Sequence, residues 1–240
     1  MQITYLNHSG FLLETETAYF LFDYYKGKLP VLHKEKPLVV FVSHSHADHY
    51  DREIYELLAL YPKTRYILAK DIPTKRLIAE QEARGLELGS HILSVRKNTT
   101  QDILLWNGRP LRITTLKSTD AGVAYVLEYD NHRYYHAGDL NLWYWENESK
   151  QYNENMTRAF LAEMEKLKGI DIDVAFVPLD PRLERHTMDG FRLFLEYTRT
   201  KRIFPMHMWG DYSIILEFLR QYPMYRQQVA VIEYEGQVFQ

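Results

Sequence analysis

The 240-residue sequence contains no cysteine. Disulfides and thiolate metal ligands are therefore excluded, and the redox compartment cannot be read from it. Basic charge is not in excess either. There are 29 Lys and Arg against 32 Asp and Glu, a net charge of −3 and a pI near 6.4. That balance lacks the electrostatic footprint of nucleic-acid binding and counts against such a partner. No apolar run approaches the length of a membrane span. The first fifteen residues lack a charged stretch followed by an apolar core. A cytoplasmic protein with no membrane partner and no signal peptide is the expectation. Internal repeats, low-complexity runs and linkers are missing too, so residues 1–240 are expected to form a single domain.

Apolar residues make up 46% of the chain and charged residues 25%, enough for a real core. Ile3–Leu6, Gly10–Glu14 and Ala18–Phe22 read as strands of a meander with short polar turns. Val39–Val42 is an apolar run and reads as a buried strand. Helical spacing marks Arg52–Tyr61, stopped by Pro62, and Thr74–Arg84, opened by Asp71-Ile72-Pro73. Arg65–Ala69, Ile92–Val95, Asp102–Trp106, Leu111–Leu116, Val123–Glu128 and Arg133–His136 read as further strands, with Asn107-Gly108 as a hairpin turn. Helices then alternate with strands: Met156–Leu167, Thr187–Thr198 and Tyr212–Arg220 against Ile172–Val177, Arg202–Met206 and Val229–Tyr234. The pattern fits two sheets packed back to back with helices outside.

The chemistry concentrates after Val42. Ser43-His44-Ser45-His46-Ala47-Asp48-His49 packs three imidazoles and a carboxylate into the six residues from His44 to His49. In extended backbone His44 and His46 face the same side, because side chains alternate with period two. Asp48 and His49 follow in the turn, where the chain can swing both toward a common point. Imidazole and carboxylate together suit zinc, iron or manganese rather than calcium or magnesium. A solvated loop needs no such density of ligands, and we read the stretch as a metal site. Other polar residues sit at strand ends. Asp23 ends the third strand, as a turn cap or as an acceptor that orients an imidazole. Gly138-Asp139 follows a strand, which alone is an ordinary turn. His207 ends another, which alone suits a core histidine.

His44-x-His46-x-Asp48-His49 after a buried strand resembles the signature of the metallo-β-lactamase superfamily. Leu6-Asn7-His8-Ser9-Gly10-Phe11 resembles the opening of its L-ascorbate-6-phosphate lactonase-like branch, with Asn7 in place of the usual glycine. The resemblance implies an α/β (α+β) fold, a four-layer αβ/βα sandwich of two mixed β-sheets flanked by helices. It also implies that Asp139 bridges two metal ions, that His207 is the last ligand, and that Asp23 orients a bound imidazole. A first position would then use His44, His46 and Asp139, and a second Asp48, His49, Asp139 and His207. One departure stands out. Where the superfamily supplies a further histidine, this chain has Lys117-Ser118-Thr119-Asp120-Ala121-Gly122, and His91 and His132 are poorly placed to substitute. Asp120 or Ser118 is left to complete the first position. One tight and one softer site are expected, holding one or two divalent ions, zinc first with manganese or iron as alternatives. His8 is expected at a pocket wall or behind a ligand, not on an ion.

Such ions acidify bound water toward neutrality, and the resulting hydroxide attacks carbonyl or phosphoryl centres. Asp48 would bind an ion and hold the proton of the nucleophile. The expected function is metal-dependent hydrolysis of a small anionic ester, lactone or phosphodiester, of lactonase, esterase or phosphodiesterase type. The alternatives are a phosphodiesterase or nuclease acting on nucleotides or RNA, and a non-catalytic metal-containing binding or sensing protein. Trp209 and the aromatics of Leu140–Trp145 could wall the pocket. Arg182, with His186 beside a helix start, could hold an anionic group, or Arg182 could simply pair with Asp180. A small-molecule substrate is the expected partner, and a homo-oligomer is left open.

Overall fold

Short runs of β-branched and aromatic residues, too brief for helices, set the architecture. The computed structural model describes residues 1–85 and 87–240. Its strands are β1 Gln2–Asn7, β2 Gly10–Glu14, β3 Tyr19–Phe22, β4 Leu38–Val42, β5 Thr64–Ala69 and β6 Ile92–Val95, then β7 Thr100–Leu104, β8 Pro110–Lys117, β9 Val123–Tyr129, β10 His132–His136, β11 Asp171–Pro178, β12 Arg199–Met206 and β13 Val238–Phe239. One sheet runs β13-β1-β2-β3-β4-β5-β6 and the other β12-β11-β10-β9-β8-β7. Both are mixed. The first is parallel from β3 to β6, the second from β10 to β12. The helices are α1 Leu57–Leu60, α2 Lys75–Glu82, α3 Leu88–His91, α4 Lys150–Leu167, α5 Asp189–Tyr197 and α6 Ser213–Gln221. The α/β sandwich of two mixed sheets expected from the sequence is present.

All five residues of β4 are buried, as in a parallel strand covered on both faces, so its sequence shows no alternation. β8, in contrast, alternates exposed and buried over most of its length. Between the sheets Phe11 packs on Phe176 at 4.4 Å, and Phe22 lies parallel to His136 at 5.0 Å. His136 is a core residue. Its Nε2–H donates to the Ser9 carbonyl at 2.9 Å, and its Nδ1 accepts from the Gly138 N–H at 3.1 Å. Those bonds fix one neutral tautomer and tie the two sheets together, and burial pushes the imidazole pKa down.

Several boundaries differ from expectation for local reasons. α4 starts at Lys150 because Ser149 caps it, accepting from the Tyr152 N–H at 3.1 Å. The helix expected over Arg52–Tyr61 is a 3-10 turn, Arg52–Glu56, followed by α1. Thr187 ends a 3-10 turn instead of opening α5. The expected strand Val229–Tyr234 shrinks to one bridge at Val229 beside β12, and the last strand is β13. β12 therefore stays an edge strand, where Pro205 is tolerated. Among the described residues no helix is long and apolar enough to cross a membrane.

Candidate metal centre

The chain leaves each sheet at the same rim. Asp23 follows β3, His44 to His49 follow β4, Asp139 follows β10, Asp180 follows β11 and His207 follows β12. Glycines let the loops approach closely. A Cβ on Gly138 (φ +50°) would lie 2.6 Å from Ser43 Cβ, and one on Gly122 (φ +68°) 1.9 Å from the Ser43 carbonyl oxygen. His8, Asp23, His207 and Trp209 also have positive φ, so the rim holds non-glycine residues in the left-handed region.

Two groups of donors converge there. Donor atoms of His44, His46 and Asp139 lie within 4.8 Å of one another, and so do those of His8, His49 and His207. Asp139 stands between the groups. Its Oδ2 is 3.2 Å from His44 Nε2, and its Oδ1 is 3.1 Å from His49 Nε2 and 2.9 Å from His207 Nε2. Asp48 lies at the edge, Oδ2 3.4 Å from His8 Nε2.

The hydrogen bonds behind the rings decide which nitrogens face inward. His49 Nδ1–H donates to Asp23 at 2.8 Å, and His207 Nδ1–H to Asp180 at 3.3 Å. The Ser43 hydroxyl donates to Asp23 at 2.6 Å and accepts from His44 Nδ1–H at 2.9 Å. Asp23 thus orients two imidazoles, one directly and one through Ser43. The Nε2 lone pairs of all three rings are left pointing at the Asp139 carboxylate. His49 and His207 Nε2 are only 2.8 Å apart. His8 Nε2, His44 Nε2 and Asp139 Oδ1 are buried with no hydrogen-bond partner. Such convergence in a buried site is satisfied by protons on the rings or by a metal ion, and donors about 2.1 Å from a zinc stand roughly 3.4 Å apart, close to these spacings. The residues fit a metal.

Charge follows the same logic. Burial raises the Asp139 carboxyl, but His207 and His49 outweigh it and hold the pKa well below the usual range. Burial disfavours the charged form of His49, yet Asp139 and Asp23 raise it to about 10. His207 is raised too, burial being outweighed by Asp139 and Asp180. For Asp180 burial is outweighed by His207 and Arg182, which bring it down to about 2. Burial lowers His8 to about 4 against the pull of Asp48. The nearby His8 imidazole, 3.4 Å away, outweighs burial and keeps the Asp48 carboxyl well below the usual carboxylate range.

A cleft of about 300 Å³ opens onto the donors, lined among others by Asp48, Asp120, Trp143, Trp145, Arg182 and His207. Arg182 lies 4.5 Å over the half-exposed Trp209 ring and donates twice to Asp180, at 3.0 and 2.6 Å. Arg182 thus makes the anticipated pair with Asp180 and also lines the cleft. The remaining candidates divide. Asp120 lines the cleft but is exposed and outside both donor groups. Ser118 caps its own turn, accepting from the Asp120 N–H at 3.1 Å. His186, a candidate for the substrate or for the layer behind the ligands, bonds Asp189 at 2.8 Å and packs at a tilt on Tyr144 at 4.1 Å. That local pairing turns its ring to its own turn. His91 and His132 bond the backbone of Thr64 and Asp130. His8, expected at a pocket wall or behind a ligand, has its ring centroid 4.0 Å from that of His207. Asp180 and Ser43 went unrecognised in the sequence, the first resembling a turn cap and the second a spacer between histidines.

A sequence model described as the β-lactamase superfamily domain matches residues 2–155, more than half of the chain. The chain belongs to the metallo-β-lactamase superfamily. Its fold is also found in Igni18, a metallo hydrolase from Ignicoccus hospitalis, at 18% identity and a TM-score of 0.64, over 100% of this chain and 98% of that one. A Parabacteroides distasonis protein described as a metal-dependent hydrolase is similar at 18% identity and a TM-score of 0.62, over 96% and 92%. CmlA, a diiron β-hydroxylase from Streptomyces venezuelae, matches at 11% identity and a TM-score of 0.62, over 100% of this chain and 54% of its own. No curated protein matches the sequence. At these identities the superfamily membership fixes the fold and leaves the substrate open.

Proposed function

We propose that the protein is a metal-dependent hydrolase of a small anionic ester, lactone or phosphodiester. The carrying observation is the position of Asp139, whose two oxygens face two separate groups of histidines at the floor of a cleft walled by Arg182. One position would be held by His44, His46 and Asp139, the other by His49, His207, Asp139 and Asp48, with zinc, manganese or iron as the ion. Divalent ions held there supply Lewis-acid chemistry, acidifying water and stabilising negative charge on an attacked oxygen. Asp48, ionised and half-buried beside the cleft, is placed to accept a proton from the attacking water. Asp180 occupies two groups of the Arg182 guanidinium and leaves Nη1 for a substrate phosphate or carboxylate. Trp143 and Trp145 exclude water on that side. The modest volume of the cleft favours a small substrate over RNA.

The test is a substrate panel of lactones, thioesters and bis(p-nitrophenyl) phosphate, each with added zinc or manganese at several pH values. Turnover of an anionic ester, lactone or phosphodiester, lost on chelation, is expected. Tight metal binding without turnover of any compound would overturn the hydrolase reading in favour of a binding or sensing protein.

A further inference from the structure

We propose that His8 is a metal ligand, making the second position a three-histidine site (His8, His49, His207) completed by Asp139 and tighter than the first. The inference rests on the reading of this rim as a metal centre. His8 is 5% exposed, and its Nε2 is buried without a hydrogen-bond partner. Its donor atom lies within 4.8 Å of those of His49 and His207.

The backbone holds it there. His8 sits at φ +51° in the β1–β2 turn, a conformation that costs energy for a side chain of this size. Its carbonyl accepts the His207 N–H at 3.4 Å, joining the turn to the residue that ends β12. From behind, Asn7 donates to Glu235, and its Oδ1 accepts from the Tyr25 hydroxyl at 2.5 Å. The residue that departs from the usual glycine of this opening therefore acts as the anchor of the turn. Strain held by anchors on both sides, ending in an unsatisfied imidazole nitrogen, is the arrangement of a ligand.

The two positions then differ by a histidine gained at the second as well as by the one absent from the first. The first keeps His44, Asp139 and an exposed His46, whose side chain must be ordered on binding. The second has three buried imidazoles already turned inward. The competing role for His8 is a hydrogen bond to Asp48, 3.4 Å away. Glutamine at position 8 keeps a donor for Asp48 and removes the imidazole.

The experiment titrates chelator-stripped full-length protein with Co²⁺, following visible absorption and competition with a chromophoric chelator, for the wild type, His8→Gln and His46→Ala. Loss of an outer hydrogen-bond partner weakens metal binding about 10–100-fold. His8→Gln is expected to weaken the tighter Co²⁺ by more than about 100-fold, beyond that range, while His46→Ala spares it. A smaller loss in His8→Gln overturns the proposal and leaves His8 as the partner of Asp48. Failure of the wild type to bind Co²⁺ overturns the metal-centre reading itself. Should His8→Gln not fold by circular dichroism, ¹⁵N-histidine spectra of the wild type decide. A His8 ring-nitrogen shift on the first equivalent of Zn²⁺ supports ligation, and an unmoved resonance refutes it.

Discussion

Asp180 and His207 close neighbouring parallel strands and meet at 3.3 Å, carboxylate oxygen to Nδ1. The same carboxylate holds the Arg182 guanidinium, so one buried side chain sets both an inward-facing imidazole and the cation on the cleft wall. Asp180→Asn removes the charge and leaves the shape. Metal affinity should fall about 10–100-fold, measured by chelator competition, and KM for an anionic substrate should rise with it. Unchanged affinity would show that His207 is oriented by something else.

Chelator-stripped protein should lose stability between pH 7 and pH 10. The His49 pKa rises on folding from 6.5 to about 10 because Asp139 and Asp23 outweigh the effect of burial. A raised pKa stabilises fully below the unfolded value, and the gain is lost as pH climbs through the folded one. A divalent ion replaces that proton, so the loaded protein should show a flatter profile and release about one proton on binding near pH 7. Thermal melts with and without zinc, and calorimetry in two buffers of different ionisation enthalpy, measure both. Parallel profiles would contradict the assignment.

Arg182→Ala should raise KM for anionic substrates about 10–100-fold, the range set by one charge-assisted pair, with a smaller change for neutral esters. Arg182→Lys should not restore it, since an ammonium cannot bond Asp180 twice and still face the cleft. Equal losses on charged and neutral substrates would argue for a packing role over Trp209.

Gly122→Ala should destabilise the fold by at least about 2 kcal/mol. The added Cβ would meet the Ser43 carbonyl at 1.9 Å and His44 Cβ at 2.6 Å, at a φ of +68°. Urea unfolding reads the cost, and wild-type stability would mean the loop does not approach β4 so closely.

The local parts of this architecture could be read from residues alone. β4 is a run of apolar residues that must be covered on both faces, and the four donors after it fall within six residues. Asp139 and His207 stood at strand ends, so their position, though not their mutual contact, was visible. His8 was not, because its meeting with His207 forms only when the β1–β2 turn of one sheet reaches the end of β12 in the other. Asp180 was masked by its local work: it accepts from the Arg182 N–H at 2.9 Å, as any turn-capping aspartate would. The bond of His186 to Asp189, three residues on, is likewise invisible to composition. Val229–Tyr234 has strand-like residues but meets only one partner position, so tertiary context overrode propensity.

The inward-facing groups hang from both layers of the sandwich, His8, His44, His46 and His49 from one and Asp139 and His207 from the other. An ion seated among them is therefore a rivet through two plates as well as a reagent. Heat resistance then scales with the free concentration of that ion, since whatever binds only the folded chain stabilises it by mass action. Metal starvation would loosen the seam of the whole molecule along with its chemistry.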